Sequence, residues 1–299
     1  MKIFFDPIYA HPLPENHRFP MQKYELIPAQ LLHEGTLEPA DILQPDICPN
    51  EWITAVHTEE YLHKLDTITL SASEQRSIGF PQSEQLIRRE KMITKGTVEG
   101  AQIAIKEGVA LNVAGGTHHA FADRGEGFCL INDMAVAAAY LLRKNLARQI
   151  IIIDLDVHQG NGTASIFRNE PRVFTLSMHG AHNYPFRKEI SDLDIPLADG
   201  TTGSTYLGLL SRHLTDTLNQ IQPDFAFYLS GVDVLETDRF GKLKLSMQDC
   251  SERDRFVFTQ LQQRGIPVMV AMGGGYSPQL STIVEAHCNT FRLAKKIFS

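Results

Sequence analysis

Short apolar runs recur along the chain, at "KIFF" (2–5), "VALNVAG" (109–115), "QIIIIDLD" (149–156), "RVFTLSMH" (172–179), "DFAFYLSG" (224–231) and "PVMVAMGGG" (267–275). Runs without strict alternation predict strands buried on both faces. Between them the period changes. Leu207, Leu210, Leu214, Leu218 and Ile221 are spaced by three and four, which sets one apolar stripe along a helix. A second helix is expected through "MAVAAAYLLRK", with either Asn132 or Asp133 as its cap. Strands alternating with helices predict an α/β fold with one mainly parallel, doubly wound sheet flanked by helices. No internal repeat, low-complexity stretch or Gly/Ser/Pro-rich linker interrupts the pattern, so the expectation is a single domain over residues 1–299.

In such sheets, ligands bind beyond the carboxyl ends of the strands. Polar residues collect at those ends: Thr117, His118 and His119 after the 109–115 run, Asp154, Asp156 and His158 after the isoleucines, Asp233 after "DFAFYLSG", and Tyr276 after three glycines. If the strand stays extended through His158, Asp154, Asp156 and His158 all face one side.

Composition narrows the function classes. Hydrophobic residues make up 43% of 299, ordinary for a protein with a substantial core, and the formal net charge is -7 with no block of like charges. A nucleic-acid or anionic-membrane partner is therefore not expected. The N-terminal apolar run is too short for a signal peptide, and no stretch approaches the roughly 18 apolar residues of a membrane span. The expected location is cytoplasmic. Four cysteines, Cys48, Cys129, Cys250 and Cys288, lie far apart with no C-x-x-C pair, so neither a disulfide framework nor a thiolate zinc site is indicated.

Asp156, His158 and Asp233 offer two carboxylates and an imidazole, a donor set suited to zinc that leaves a position open for water. A polar strand end hydrogen-bonded to its neighbours would show the same short pattern, but uncompensated buried carboxylates are costly and favour a cation. The double glycine at 115–116 permits the turn that adjacent His118 and His119 need to face one site, where a histidine can accept and return a proton. Two loop histidines on the surface are the plainer alternative. Tyr276 can donate to a developing oxyanion or simply pack, and Asp238 and Arg239 can support the site or form a solvated turn.

Taken together, "HPLPENHRFP", "GGTHHAFADRGEGFCLINDMAVAA", "IIIDLDVHQGNGTASIF", "YPFRKEISDLDIPLADGT", "LSGVDVLETDRFGKLKLS" and "GGGYS" resemble the histone deacetylase family. The similarity is strongest to class IV-like members and bacterial histone deacetylase-like amidohydrolases, and it runs almost end to end. The resemblance implies the arginase/deacetylase fold and zinc-dependent hydrolysis of acyl-lysine amides, acetyl-lysine first. It implies one zinc held by Asp156, His158 and Asp233, with His118 and His119 acting on the water and leaving group. Tyr276 would polarise the carbonyl, Asp154 would partner His118, and Asn161 would orient His119. Gly127 and Phe128 would line an acyl-lysine tunnel, with Tyr184 as the opposite wall where phenylalanine is usual and Phe240 near the mouth. A potassium ion at Asp154, Asp156, His158 and Ser177 is implied as a structural ion.

The expected partner is an acylated lysine in a protein or peptide, or a small acylated amine. Acetylpolyamine hydrolysis is the first alternative, weakened because Phe240 stands where an acidic gatekeeper would be expected. A catalytically weak acyl-lysine binding module is the second, weakened by Tyr276. No feature of the pattern specifies an oligomeric state.

Overall fold

The computed structural model describes residues 1–298. Eight strands form one sheet among the described residues: β1 (Lys2–Phe4), β2 (Ile42–Leu43), β3 (Val109–Asn112), β4 (Ile150–Asp154), β5 (Val173–Gly180), β6 (Leu193–Leu197), β7 (Phe225–Leu229) and β8 (Val268–Ala271). The helices are α1 (Lys23–His33), α2 (Asn50–Ile53), α3 (Glu59–Asp66), α4 (Ala72–Ile78), α5 (Glu84–Glu107), α6 (Asp133–Arg143), α7 (Asn161–Phe167), α8 (Gly203–Ile221), α9 (Met247–Gln263) and α10 (Leu280–Phe298). None is long and apolar enough to cross a membrane.

The strand order is β2-β1-β3-β8-β7-β4-β5-β6, with every pairing parallel. The chain builds β1 to β3, moves across to β4, extends outward through β5 and β6, and then returns to fill the gap with β7 and β8. All residues of β3, β4, β7 and β8 are buried. Four contiguous central strands are thus covered on both faces, which is why their sequences are continuously apolar. The edge strand β6 carries Pro196, tolerable where a ladder hydrogen bond can be given up.

On α8, Leu210, Leu214 and Leu218 are buried, and Leu207 and Ile221 sit at the margins of the stripe. Asn132, not Asp133, caps α6, its side chain accepting from the Ala135 N–H at 3.1 Å. That assignment frees the Asp133 carboxylate for the β3 loop. The longest helix, α5, packs on α6 and β3 with Arg89, Glu90 and Lys91 among its buried residues, so charge interrupts its apolar pattern.

Candidate active site

The four central strands end side by side, and the loops leaving β3, β4, β7 and β8 meet there. After Asp154 the chain does not remain extended. Leu155 N–H still donates to Leu229 O (3.1 Å), but Asp156 N–H then turns back to Asp154 Oδ1 (3.1 Å) and His158 N–H to Asp156 Oδ1 (3.0 Å). The regular alternation expected through His158 therefore ends at Asp154. Asp and Asn side chains readily compete for nearby backbone N–H groups in this way, and here they coil the segment into successive tight turns.

Those turns bring Asp156, His158 and Asp233 together, with one potential ligand atom of each within 4.8 Å of the others. His158 Nδ1 lies 3.0 Å from Asp156 Oδ1 and 3.2 Å from Asp233 Oδ2. Both carboxylates are buried, and Asp233 Oδ2 has no hydrogen-bond partner among the described residues. Burial pushes Asp233 up to about 7, helped by the Asp156 charge. Burial also pulls His158 down, but the adjacent Asp156 and Asp233 carboxylates outweigh this and raise it to about 10. Two buried carboxylates, an imidazole and an orphaned oxygen fit a divalent cation such as zinc. Gly274 completes the cradle by donating its N–H to Asp156 Oδ2 (2.8 Å). A Cβ there would collide with Asp233 Oδ2.

His118 and His119 reach the same floor because Gly115 and Gly116 turn the chain with φ of 82° and 73°. Asp133 pins this turn, its Oδ1 accepting from Gly116 N–H, Thr117 N–H and the Thr117 hydroxyl at 3.0, 3.0 and 2.7 Å. The two imidazoles, with centroids 4.1 Å apart, have different partners. His118 donates from Nδ1 to Asp154 Oδ2 and His119 from Nδ1 to Asn161 Oδ1, each at 2.7 Å. Burial pulls His118 down, but the Asp154 carboxylate outweighs it and lifts the ring above its ordinary value. Burial and the neighbouring His118 and His158 hold His119 well below that value.

Above the floor lies a cavity of about 520 Å³ walled by Phe128, Tyr184, Phe240 and Tyr276. Phe128 adopts a left-handed φ of 67°, held by its N–H bond to Ile78 O (2.6 Å) and by the Gly127 N–H bond to Ser77 O (3.0 Å). A non-glycine residue there stores strain, here over-determined by both anchors. Tyr184 turns its hydroxyl to Glu126 Oε2 (2.8 Å) and sets its ring edge-on to His119, with centroids 4.9 Å apart. The cavity therefore meets the Tyr184 ring while Glu126 takes the hydroxyl. Tyr276 packs against Phe240 at 4.9 Å, and burial followed by the Asp233 and Asp156 charges keeps its hydroxyl protonated.

A profile of the "Histone deacetylase domain" family matches residues 17–291. The chain belongs to the histone deacetylase family. Among relatives of this hydrolase family, "Histone deacetylase 2" of Arabidopsis thaliana is 30% identical over 278 residues, covering 90% of this chain and 72% of the plant protein. "Acetoin utilization protein AcuC" of Staphylococcus aureus is 27% identical, covering 92% and 76%. An uncharacterized protein of Picosynechococcus sp. is 41% identical over 99% of both chains. A crystal structure of an HDAC homolog from Aquifex aeolicus superposes with a TM-score of 0.84 at 24% identity, covering 98% of this chain and 83% of that one. The HDA15 HD domain gives 0.83 at 20%, covering 99% and 88%. The fold is the arginase/deacetylase fold.

Within this histone deacetylase-family site, every catalytic, metal and tunnel candidate read from the sequence surrounds one cavity or lies directly behind its walls. Asp154 and Ser177 are register partners on β4 and β5, and the Ser177 hydroxyl pairs with His179 Nδ1 at 3.0 Å. Asp238 supports the site and does not form a solvated turn. Its Oδ2 accepts from Tyr276 N–H (2.6 Å), and its Oδ1 accepts from Phe240 N–H (2.8 Å) and Gly241 N–H (2.9 Å). Asp133 and Glu126 were not singled out as site residues, because a helix-start aspartate and a loop glutamate look ordinary in sequence. Lys23 also escaped notice: fully buried, it donates from Nζ to Gly273 O (3.0 Å) beneath the glycine loop.

Proposed function

We propose that the chain hydrolyses the amide bond of an acyl-lysine, acetyl-lysine first, in a protein or peptide, with zinc held by Asp156, His158 and Asp233. The observation that carries this reading is the pairing of a buried, under-neutralised donor set with two histidines whose partners set them apart, at the floor of one aromatic cavity. Zinc bound there supplies a Lewis acid for the carbonyl and a water acidic enough to attack near neutral pH.

The protein's own groups divide the remaining work. His119 is neutral, and because Nδ1 donates to Asn161 its Nε2 is free to take a proton from the water. As the new carbon–oxygen bond forms and the carbon–nitrogen bond breaks, that proton passes to the departing lysine amine, leaving a free carboxylate and lysine. His118, bound to Asp154, supplies positive character beside the reacting carbon. The Tyr276 hydroxyl donates to the carbonyl oxygen as it gains charge. The aromatic walls of Phe128, Tyr184 and Phe240 favour a neutral acyl-lysine over its charged product, whose ammonium is costly to desolvate.

Purified protein should contain about one zinc per chain and release acetate from an acetyl-lysine peptide. Folded, metal-loaded protein that turned over no member of a panel of acyl-lysine peptides and acetylpolyamines would sink the reading.

A further inference from the structure

The charged residues lining the active-site cavity separate by depth. Those that are buried or nearly so are Asp156, His118, His119, His158 and Arg89, the last paired with Glu90. At the mouth the charged residues are exposed and all of one sign: Arg18, Arg76, Arg239 and Lys242. Asp156 is the one carboxylate in the lining among the described residues, and it lies at the bottom. Lys242 is offset by Asp199 at 3.7 Å. Arg18, Arg76 and Arg239 make no ion pair among the described residues, in a chain whose net charge is -7.

The position of Arg18 is defined by the tunnel itself. Its guanidinium carbon lies 5.3 Å from the Phe128 ring centroid and 5.4 Å from that of Phe240, so cation–π contacts hold the charge over two of the walls that grip a substrate. Arg239 immediately precedes Phe240, in the turn whose next two N–H groups Asp238 holds. Arg76, in the last turn of α4, comes just before Ser77 and Ile78, whose carbonyls anchor Gly127 and Phe128. Each unpaired arginine is thus tied to a tunnel wall.

Deepening the reading above, we propose that the site selects acylated amines that carry negative charge next to the acylated side chain, and disfavours cationic ones such as basic peptides and acetylpolyamines. An acyl-lysine threaded to the floor leaves its backbone and flanking groups at the mouth, where carboxylates meet three guanidiniums that form no ion pair among the described residues; the acids Glu15 and Glu25 line the adjoining groove that Arg18 and Arg239 share. Such exposed pairs act mainly through steering and discrimination, and salt screens them.

The test compares capped peptides with one acetyl-lysine flanked by acidic, neutral or basic residues, together with free Nε-acetyl-lysine, its carboxylate-capped form and a monoacetylated polyamine. The acidic peptide should exceed the basic one by about tenfold in kcat/KM. The ratio should shrink as salt rises from about 0.05 M to about 0.5 M, and should also fall in Arg18→Gln and Arg239→Gln. A gain for free over capped acetyl-lysine assigns the charge to a small molecule, and a gain confined to peptides assigns it to an acidic flank. Binding of the same ligands to metal-loaded His119→Ala, read by competition against a fluorescent acidic acyl-lysine peptide, should follow the same order. Equal or reversed preference in both rate and binding overturns the charge selection. Absence of turnover with the binding order intact overturns the hydrolase reading alone.

Discussion

His118 and His119 share a turn, a floor and near-complete burial, yet one meets a carboxylate and the other an amide. That difference moves their proton affinities in opposite directions, which accords with the proposed neutral proton carrier at His119 beside a positively charged His118. Tyr276 contributes a donor that burial keeps protonated, and Asp238 holds its backbone. Tyr276→Phe preserves the ring and removes the donor. We expect kcat to fall about 100- to 1,000-fold with metal content intact, measured by steady-state turnover beside elemental analysis. An unchanged rate would remove the hydroxyl from the mechanism. Asp238→Ala keeps the hydroxyl but frees the N–H groups of Tyr276, Phe240 and Gly241, so it should lower kcat by up to about 100-fold and raise KM as well.

At the scale of elements, the β3-to-α6 connection shows how the fold aims its side chains. Asn132 caps α6 and leaves Asp133 to staple the glycine turn, while His57 Nε2 accepts the Asn132 N–H at 3.0 Å. His57 must stay neutral to accept, and burial pulls it down to about 4 from an ordinary 6.5. His11 is likewise brought to about 4, again chiefly by burial. Between those values the unfolded chain binds protons at these two sites that the folded one does not, so the stability these two histidines contribute is complete above about pH 6.5 and is lost as pH drops towards 4. Urea unfolding should give a lower midpoint near pH 5 than near pH 7. His57→Gln should flatten that slope, and a slope identical in wild type and variant would show that His57 is not held neutral.

For the whole molecule, the decisive feature is strand order. β3, β8, β7 and β4 are neighbours, so residues drawn from positions 118 to 276 meet at one end of the sheet. The same arrangement buries two carboxylates that no nearby arginine or lysine pairs with among the described residues. An ion that binds only the folded state at 100 times its dissociation constant adds about 2.7 kcal/mol. Chelation should accordingly lower the melting temperature by several degrees, and added zinc should restore it. A melting curve indifferent to chelator would argue against a metal at this cluster.

The continuous apolar runs, the helix stripe of α8 and the gathering of polar residues at strand ends were all legible in the sequence, because burial on two faces and helical period each leave a local pattern. Local pattern could not order the strands. β6 carries Pro196 and is partly exposed at the sheet edge, and α5 interrupts its apolar pattern with buried charge, so both depend on neighbours that only the folded chain supplies. Asp154, Asp156 and His158 stood out as residues, but their geometry did not, since side-chain hydrogen bonds to the backbone replace the extended strand after Asp154. Asp133 and Asp238 were visible only as turn residues until the loops they hold were in place. The sequence by itself determined which chemistry was available and at which strand ends it lay. Tertiary structure decided which groups meet, which are desolvated and which carry a partner, because burial and pairing belong to the assembled environment and to no residue alone.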